Sequence, residues 1–445
     1  MKGIRTLKIS ISGVRGVIGD SLSPSLLANF AQSFGSYVGA GSVVVGRDTR
    51  TSGEMVRHAV VAGLIATGCR VVDLGICPVP TVQLSVRNLR ARGGIAITAS
   101  HNPAEWNALK FIKDDGCFLS SYEAEELLRI YHQNEYSLVP SRQLRGIRYY
   151  PDAIQNHIDR ILDKLGPLSR KFRVAVDACN GAAALMSPEF LGAMGCEVVP
   201  LNMVPDGRFP RAPEPLPENL TALCDLVRRS GADVGFAQDA DADRLAIVSE
   251  KGEPIGEDNT LALAAYYVLG KTPGTVVVNL STSRVLDDIV AMRGSKLVRS
   301  RIGEVNVTDR MKRTAAVIGG EGNGGVIYPD VNFGRDSFVA MALVLHLMQD
   351  EGKSISELVS RLPRYTMLKT TRQVASDQVA HLLDKLKESY RGKKVDLQDG
   401  VKIDTDGGWV HVRPSNTEPI LRVVAEAATR ETAERLIREV DAILK

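Results

Sequence analysis

A chain of 445 residues is too long to close around one apolar core and implies two to four domains. Its apolar fraction of 44 %, charged fraction of 24 %, frequent glycine and sparse aromatics suit an ordinary globular enzyme that leans toward α/β. A net charge of only +3, with no Arg/Lys run interleaved with aromatics, argues against a nucleic-acid partner.

In chain order, Ser10–Gly19 opens the sequence and a helical stretch follows from Pro24 to about Val38. A strand, Ser42–Val45, leads through the polar turn Gly46-Arg-Asp-Thr-Arg50 into a helix over Gly53–Thr67. Gly68 ends that helix, and Cys69–Leu74 is the next strand. The same order recurs twice. Arg173–Asp177 passes through Cys179-Asn-Gly181 to a helix ending near Gly195 and then Cys196–Leu201. Thr275–Asn279 passes through Ser281–Arg284 to a helix ending near Gly294 and then Ser295–Val298. Strand, polar turn, helix, Gly, strand is a right-handed crossover used three times, so three similar α/β domains are expected. From about Thr366 the style changes. A strand-like start, a helix near Ser376–Tyr390, strands at Val395–Ile403, Trp409–Val412 and Leu421–Ala425, and a closing helix Arg430–Leu444 predict a smaller α+β domain. The expected divisions are 1–150, 151–250, 251–365 and 366–445. Together they predict an α/β protein with mixed sheets flanked by helices, arranged around one central cleft.

Each repeat continues into a further apolar strand, and each such strand runs into an unusual loop. Ile95–Thr98 runs into Ala99-Ser-His-Asn-Pro103. Asp233–Ala237 runs into Gln238-Asp-Ala-Asp-Ala-Asp-Arg244, and Ala315–Ile318 runs into Gly319-Gly-Glu-Gly-Asn-Gly-Gly325. Ligands of open α/β sheets gather at the carboxyl ends of strands, so the three loops read as walls of one cleft. Ser100 would stand at the end of a rigid strand, although Ser100 and Asn102 also suit an ordinary turn.

Asp239, Asp241 and Asp243 alternate, which in extended backbone points all three carboxylates one way. At ~4 Å and an effective dielectric of about 20, each pair would repel by about 4 kcal/mol. A divalent cation is the simplest neutraliser, and an all-oxygen donor set selects Mg²⁺ or Mn²⁺ over zinc. An EF-hand is excluded because Arg244 stands where that loop requires Gly and both flanks are strand-like. In the third loop, Glu321 and Asn323 offer acceptors and donors suited to the vicinal hydroxyls of a sugar, while the glycines, Gly324 among them, permit close approach. Arg413-Pro-Ser415-Asn416-Thr417 with Arg422 has the composition of a phosphate clamp, or else of a polar hairpin.

With these four loops in hand, the chain resembles the α-D-phosphohexomutase superfamily over its whole length and in the same order. The resemblance implies that Ser100 is the phosphorylated residue and that Mg²⁺ is held by Asp239, Asp241, Asp243 and a phosphoserine oxygen on Ser100. It implies sugar contacts from the loop of Glu321, Asn323 and Gly324, and a distal phosphate clamp from Arg413, Ser415, Asn416, Thr417 and Arg422. Arg15, His101, Lys110 and Arg244 match active-site positions of the family, with Lys110 a proton carrier if its pKa is depressed and His101 shaping the loop or touching phosphate. A hexose 1,6-bisphosphate would be the intermediate and activator. Two positions depart from some relatives' pattern: Gly325 and Glu304 stand where those carry histidine, so neither histidine is present here to supply acid/base chemistry. The Glu-Gly-Asn-Gly-Gly form is similar to archaeal-type phosphoglucosamine mutases, which favours glucosamine phosphate over mannose or glucose phosphates. A metal-dependent sugar phosphatase and a non-catalytic sugar-phosphate binder would share the same loops and stay open as alternatives.

The six cysteines show no zinc spacing and read as buried thiols of a reducing compartment. The first residues lack a signal-type apolar core, and the longest apolar runs, near Leu261–Leu269 and Val339–Met348, are too short to span a bilayer. A cytoplasmic monomer or homodimer acting on a small sugar phosphate, away from membranes, is the expectation.

Overall fold

The computed structural model describes residues 6–10, 13–375, 377–415 and 420–444. Three valine-rich runs, Ser42–Arg47, Arg173–Asp177 and Thr275–Asn279, become the central strands of three sheets. Their valines are fully buried, as expected of parallel strands covered on both faces. Each central strand has a parallel neighbour on both sides, and the second neighbour carries an antiparallel return strand beyond it. In the first sheet the order is Arg70–Ile76, Ser42–Arg47, Gly93–Ile97, Trp106–Lys113. In the second it is Glu197–Leu201, Arg173–Asp177, Val234–Gln238, Leu245–Ser249. In the third it is Lys296–Ser300, Thr275–Asn279, Ile318–Glu321, Gly325–Ile327. The repeat is therefore one topology used three times. The serine, aspartate and glycine loops all join the third strand to its antiparallel return. Further strands extend the first sheet at both edges: Lys8–Ser10 and Gly13–Val17 on one side, Ile147–Tyr149 on the other.

One apolar core, running from Ile158 through Leu362, joins the second and third α/β units. The two long apolar runs are its central helices, Glu257–Lys271 and Ser337–Glu351. The last part has its own core beneath a five-stranded antiparallel sheet, covered by the helices Val379–Ser389 and Arg430–Leu444. No helix among the described residues is long and apolar enough to cross a membrane. The cysteines are unbridged thiols, five of them buried.

Three element assignments change. Val395–Ile403 is two strands, Lys394–Asp396 and Val401–Thr405, because the Asp396 carboxylate accepts from Gln398 N and Gly400 turns the chain at φ 73°. The strand expected at Ala315 begins only at Ile318, since Ala315 takes the left-handed conformation that ends the helix Glu304–Thr314. The helix expected from Ser376 runs over Val379–Ser389, and Ser376 lies outside the described residues.

The last domain docks on the third through buried polar contacts. Glu426 accepts from Trp409 Nε1 at 2.8 Å and from Arg284 N at 2.9 Å. His411 Nδ1 lies 2.8 Å from Ser281 Oγ, and its Nε2 lies 2.6 Å from the Asp399 carbonyl. A donor at Nε2 and an acceptor at Nδ1 satisfy both contacts with a neutral ring. Burial holds its pKa down from 6.5 to about 4, despite the opposing pull of Asp399. As pH falls between those values the undocked form takes up a proton that the docked ring refuses, so His411 stabilises docking above 6.5 and loses that effect toward 4. Protection from hydrogen exchange across Gly408–Pro414, corrected for the intrinsic pH dependence of exchange, should fall as pH drops through this window in the native chain, and His411→Gln should flatten the dependence.

Candidate active site

The serine loop is built by a residue that sequence reading passed over as part of a polar turn. Arg50, fully buried, donates to the carbonyls of Ser100 (2.8 Å), Asn102 (2.6 Å), Trp106 (3.0 Å) and Pro103. Asp48 holds the guanidinium from behind at 3.0 Å, and Phe209 covers its face. Thr98 Oγ1 donates to Asp48 at 2.6 Å and accepts from Ser100 N at 3.0 Å. Held in this way, Ser100 adopts a left-handed φ of 51°, a conformation that costs a non-glycine residue and needs surrounding structure to impose it. Its hydroxyl points at Asp239 Oδ2, 3.2 Å away, and lies 3.3 Å from His101 Nδ1. Burial and the neighbouring Arg244 push the His101 pKa down to about 2, which keeps the imidazole neutral.

Asp239, Asp241 and Asp243 are all buried, with one carboxylate oxygen of each within 4.8 Å of the others. They converge through a turn, not through the expected extended alternation. The strand stops at Gln238, and Ala242 takes φ 60° to bring Asp243 back beside Asp239. Asp241 Oδ1 and Asp243 Oδ1 are buried without a hydrogen-bond partner. Two orphaned anionic oxygens beside a third carboxylate and a serine hydroxyl form a donor set suited to a hard divalent cation. Desolvation and the two neighbouring carboxylates push Asp239 well above the usual carboxylate range.

Lys110 sits on the return strand Trp106–Lys113, with its Nζ 2.7 Å from Asp241 Oδ2 and 3.9 Å from Asp243. Burial works against its charge, but the attraction of Asp241 and Asp243 outweighs it and the net shift is upward. The depressed pKa on which its role as proton carrier was conditioned is absent here, and Lys110 stands as a fixed ammonium. Arg15 donates to Asn102 Oδ1 at 2.8 Å. Arg244 pairs with Glu214 at 2.9 Å. These residues, with Ser100, His101 and Arg335, line a cavity of about 200 Å³.

The third loop docks directly on the second. Leu245 N donates to Gly324 O at 3.0 Å, and a Cβ at Gly324 would stand 2.4 Å from Leu245 O, at a φ of 83° that itself favours glycine. Glu321 is buried, accepting from Asn279 Nδ2 (2.8 Å), Gly303 N (3.0 Å) and Arg335 Nη1 (3.0 Å). Asn323 Oδ1 accepts from Gly325 N at 3.3 Å. In the last domain Arg413 and Arg422 are cross-strand neighbours. Burial lowers the Arg413 pKa, with Asp399 and the third loop's Glu321 acting against the fall and Arg422 adding to it, so the guanidinium senses the charge of the third loop. Ser415 N donates to Ile420 O at 2.9 Å, closing the hairpin, while Asn416 and Thr417 lie outside the described residues.

The chain matches known proteins along most of its length. Four phosphoglucomutase/phosphomannomutase domain descriptions match in order: alpha/beta/alpha domain I over 7–137, domain II over 149–252, domain III over 256–365, and the C-terminal domain over 371–443. The chain belongs to the phosphoglucomutase/phosphomannomutase family. It is 39 % identical over 438 residues to a Methanopyrus kandleri protein named "Probable phosphoglucosamine mutase", covering 96 % of this chain and 95 % of that one. It is 40 % identical over 441 residues to a Thermococcus kodakarensis phosphoglucomutase/phosphomannomutase, with the same coverage. The crystal structure of a family protein from Burkholderia thailandensis superposes with a TM-score of 0.88 at 28 % identity, covering 98 % of each chain.

Within this phosphohexomutase, two residues at the centre of the site escaped the sequence reading. Arg50 ends the polar turn Gly46–Arg50 and Arg335 follows Gly334, and neither spacing says which carbonyls or carboxylates a guanidinium will reach. The one available signal was the density of charge in Arg47-Asp-Thr-Arg50 at the carboxyl end of a buried strand. A lysine in place of Arg50 keeps the charge but cannot span four carbonyls. Arg50→Lys should therefore lower kcat by about 100-fold, the scale of an ~1 Å misplacement of a reacting group, with the circular dichroism spectrum retained.

Proposed function

We propose that this phosphohexomutase interconverts hexose 6-phosphates and hexose 1-phosphates, with glucosamine phosphate as the preferred sugar. The observation that carries the reading is the Ser100 hydroxyl, held in a strained backbone conformation against the buried aspartate triad. Phosphorylated Ser100 donates its phosphoryl group to the free hydroxyl of the bound monophosphate. The bond between phosphorus and Ser100 Oγ breaks as a bond to the sugar oxygen forms, and the hydroxyl proton ends on Ser100. The resulting 1,6-bisphosphate, which also serves as activator, turns over in the cleft, and its other phosphoryl group returns to Ser100 by the reverse step.

Asp239, Asp241 and Asp243 would hold Mg²⁺ (Mn²⁺ fits the same donors), which stabilises negative charge on a transferring phosphoryl group when bound. Lys110 as an ammonium, Arg15 and Arg244 balance further charge around Ser100. Phosphoryl transfer of this loose kind asks chiefly for positioning and electrostatics, so a charged Lys110 suits it. Glu321, Asn323 and the backbone at Gly324 supply the sugar contacts. Arg413, Ser415, Asn416, Thr417 and Arg422 clamp the phosphate that is not reacting, and the docked last domain helps to exclude water. The family relationship to the Methanopyrus protein supports the choice of glucosamine.

Intact mass and assay together test this. The native chain should carry one phosphate lost in Ser100→Ala, and the variant should lose mutase turnover, by about 10⁴-fold or more for removal of a covalent nucleophile. Net release of inorganic phosphate without isomer formation would instead identify a phosphatase. Near-full mutase activity in Ser100→Ala would overturn the mechanism. Comparison of kcat/KM for glucosamine, glucose and mannose 1-phosphates decides the sugar, with glucosamine expected highest.

A further inference from the structure

Three carboxylates from three different segments meet on one buried guanidinium. Arg335 Nη2 lies 2.5 Å from Asp243 Oδ2, Nη1 lies 3.0 Å from Glu321 Oε2, and Nε lies 2.9 Å from Glu304 Oε2. Asp243 belongs to the cation loop and Glu321 to the sugar loop, while Glu304 begins the helix that precedes the sugar loop. The far side of Glu304 is closed by Gln83 of the first domain, whose Nε2 donates to Oε1 at 3.1 Å. The backbone at Arg335 is fixed by its neighbour. Asp336 caps the helix Ser337–Glu351 and pairs with His157 at 2.8 Å.

Both positions where some relatives carry histidine converge on this one side chain. Glu304 is its partner, and Gly325 makes room for it: a Cβ at Gly325 would stand 2.3 Å from Arg335 Cδ. The two departures and the arginine are thus one physical unit. The Arg335 stem fills the space beside Gly325, and its fork answers the charge at Glu304.

Resting on the mutase reading above, we propose that Arg335 is a positioning residue that couples cation binding at the aspartate loop to sugar binding at the glycine-rich loop. Asp243 accepts from Arg335 through one oxygen, and its Oδ1 has no hydrogen-bond partner. A cation on the triad competes with the guanidinium for Asp243 and shifts Arg335 toward Glu321 and Glu304. That shift would reset Glu321, the carboxylate of the sugar loop, which Arg335 holds through Oε2. Coupling of this kind is reciprocal: whatever factor the sugar phosphate adds to cation affinity, the cation adds to sugar affinity.

The test uses the full chain carrying Ser100→Ala, so that nothing turns over, with Mg²⁺ and glucosamine 1-phosphate titrated by calorimetry singly and together. Each should tighten the other by about 5- to 100-fold, the usual range for linked sites. Arg335→Met should bind Mg²⁺ alone more tightly than its parent, because a competing cation is gone, and should bring the mutual effect below about twofold. Arg335→Lys keeps a charge at Asp243 but cannot fork across three carboxylates. Its affinity for Mg²⁺ alone should match the parent while the mutual effect is lost. If Arg335→Met does not fold, Arg335→Lys decides alone. In chains that retain Ser100, Arg335→Lys should raise KM by about 10-fold with a smaller fall in kcat, the pattern of lost sugar positioning. Undiminished coupling in Arg335→Lys, or an unchanged KM, would overturn the inference while leaving the mutase reading intact. Absence of mutase turnover in the native chain is the separate result that would remove that reading.

Discussion

The structure depends on how buried negative charge is balanced around Ser100. Asp48, Asp239, Asp241, Asp243, Glu304 and Glu321 are all buried and gathered at the carboxyl ends of three sheets. Left alone they would repel one another and lose hydration, a combination that would open the cleft or protonate the acids. Three cations from different segments, Arg50 and Arg335 buried and Lys110 half-buried, hold them in place: Arg50 on Asp48, Lys110 on Asp241, and Arg335 on Asp243, Glu304 and Glu321. Because each cation also reaches a second segment, balancing charge and fixing the loops relative to one another are the same act.

The remaining imbalance falls on the aspartate triad. Lys110 and Arg335 neutralise part of it, and two oxygens stay without hydrogen-bond partners. Both belong to the turn whose Asp239 accepts from the Ser100 hydroxyl. The left-handed backbone at Ser100 is held by the same kind of contact: the Arg50 clamp fixes it and so aims the hydroxyl.

The repeat explains why the cleft has walls of such different chemistry. One topology places a loop between the third strand and its antiparallel return in each of the three α/β domains. The loop's position is set by the sheet, so its sequence is free to differ from domain to domain: a serine loop, an aspartate loop and a glycine-rich loop. The last domain contributes paired arginines from neighbouring strands and docks through His411 and Glu426.

Periodicity and glycine placement in the sequence determined the repeat, the α/β class and the four loops. Valine runs flanked by Gly-terminated helices have one common solution, a covered parallel sheet, and ligand loops then follow at strand ends. Family resemblance added roles for Ser100, the triad and Lys110. Tertiary structure alone decided what surrounds them. The convergence of Asp243 on Asp239 needed a left-handed Ala242, which no alternation pattern encodes. Lys110 became a fixed ammonium because Asp241, 131 residues away in sequence, lies 2.7 Å from it. Arg50 and Arg335 were invisible as hubs for the same reason: a guanidinium's partners are chosen by which chain segments the sheets bring within reach, and sequence spacing carries no record of that.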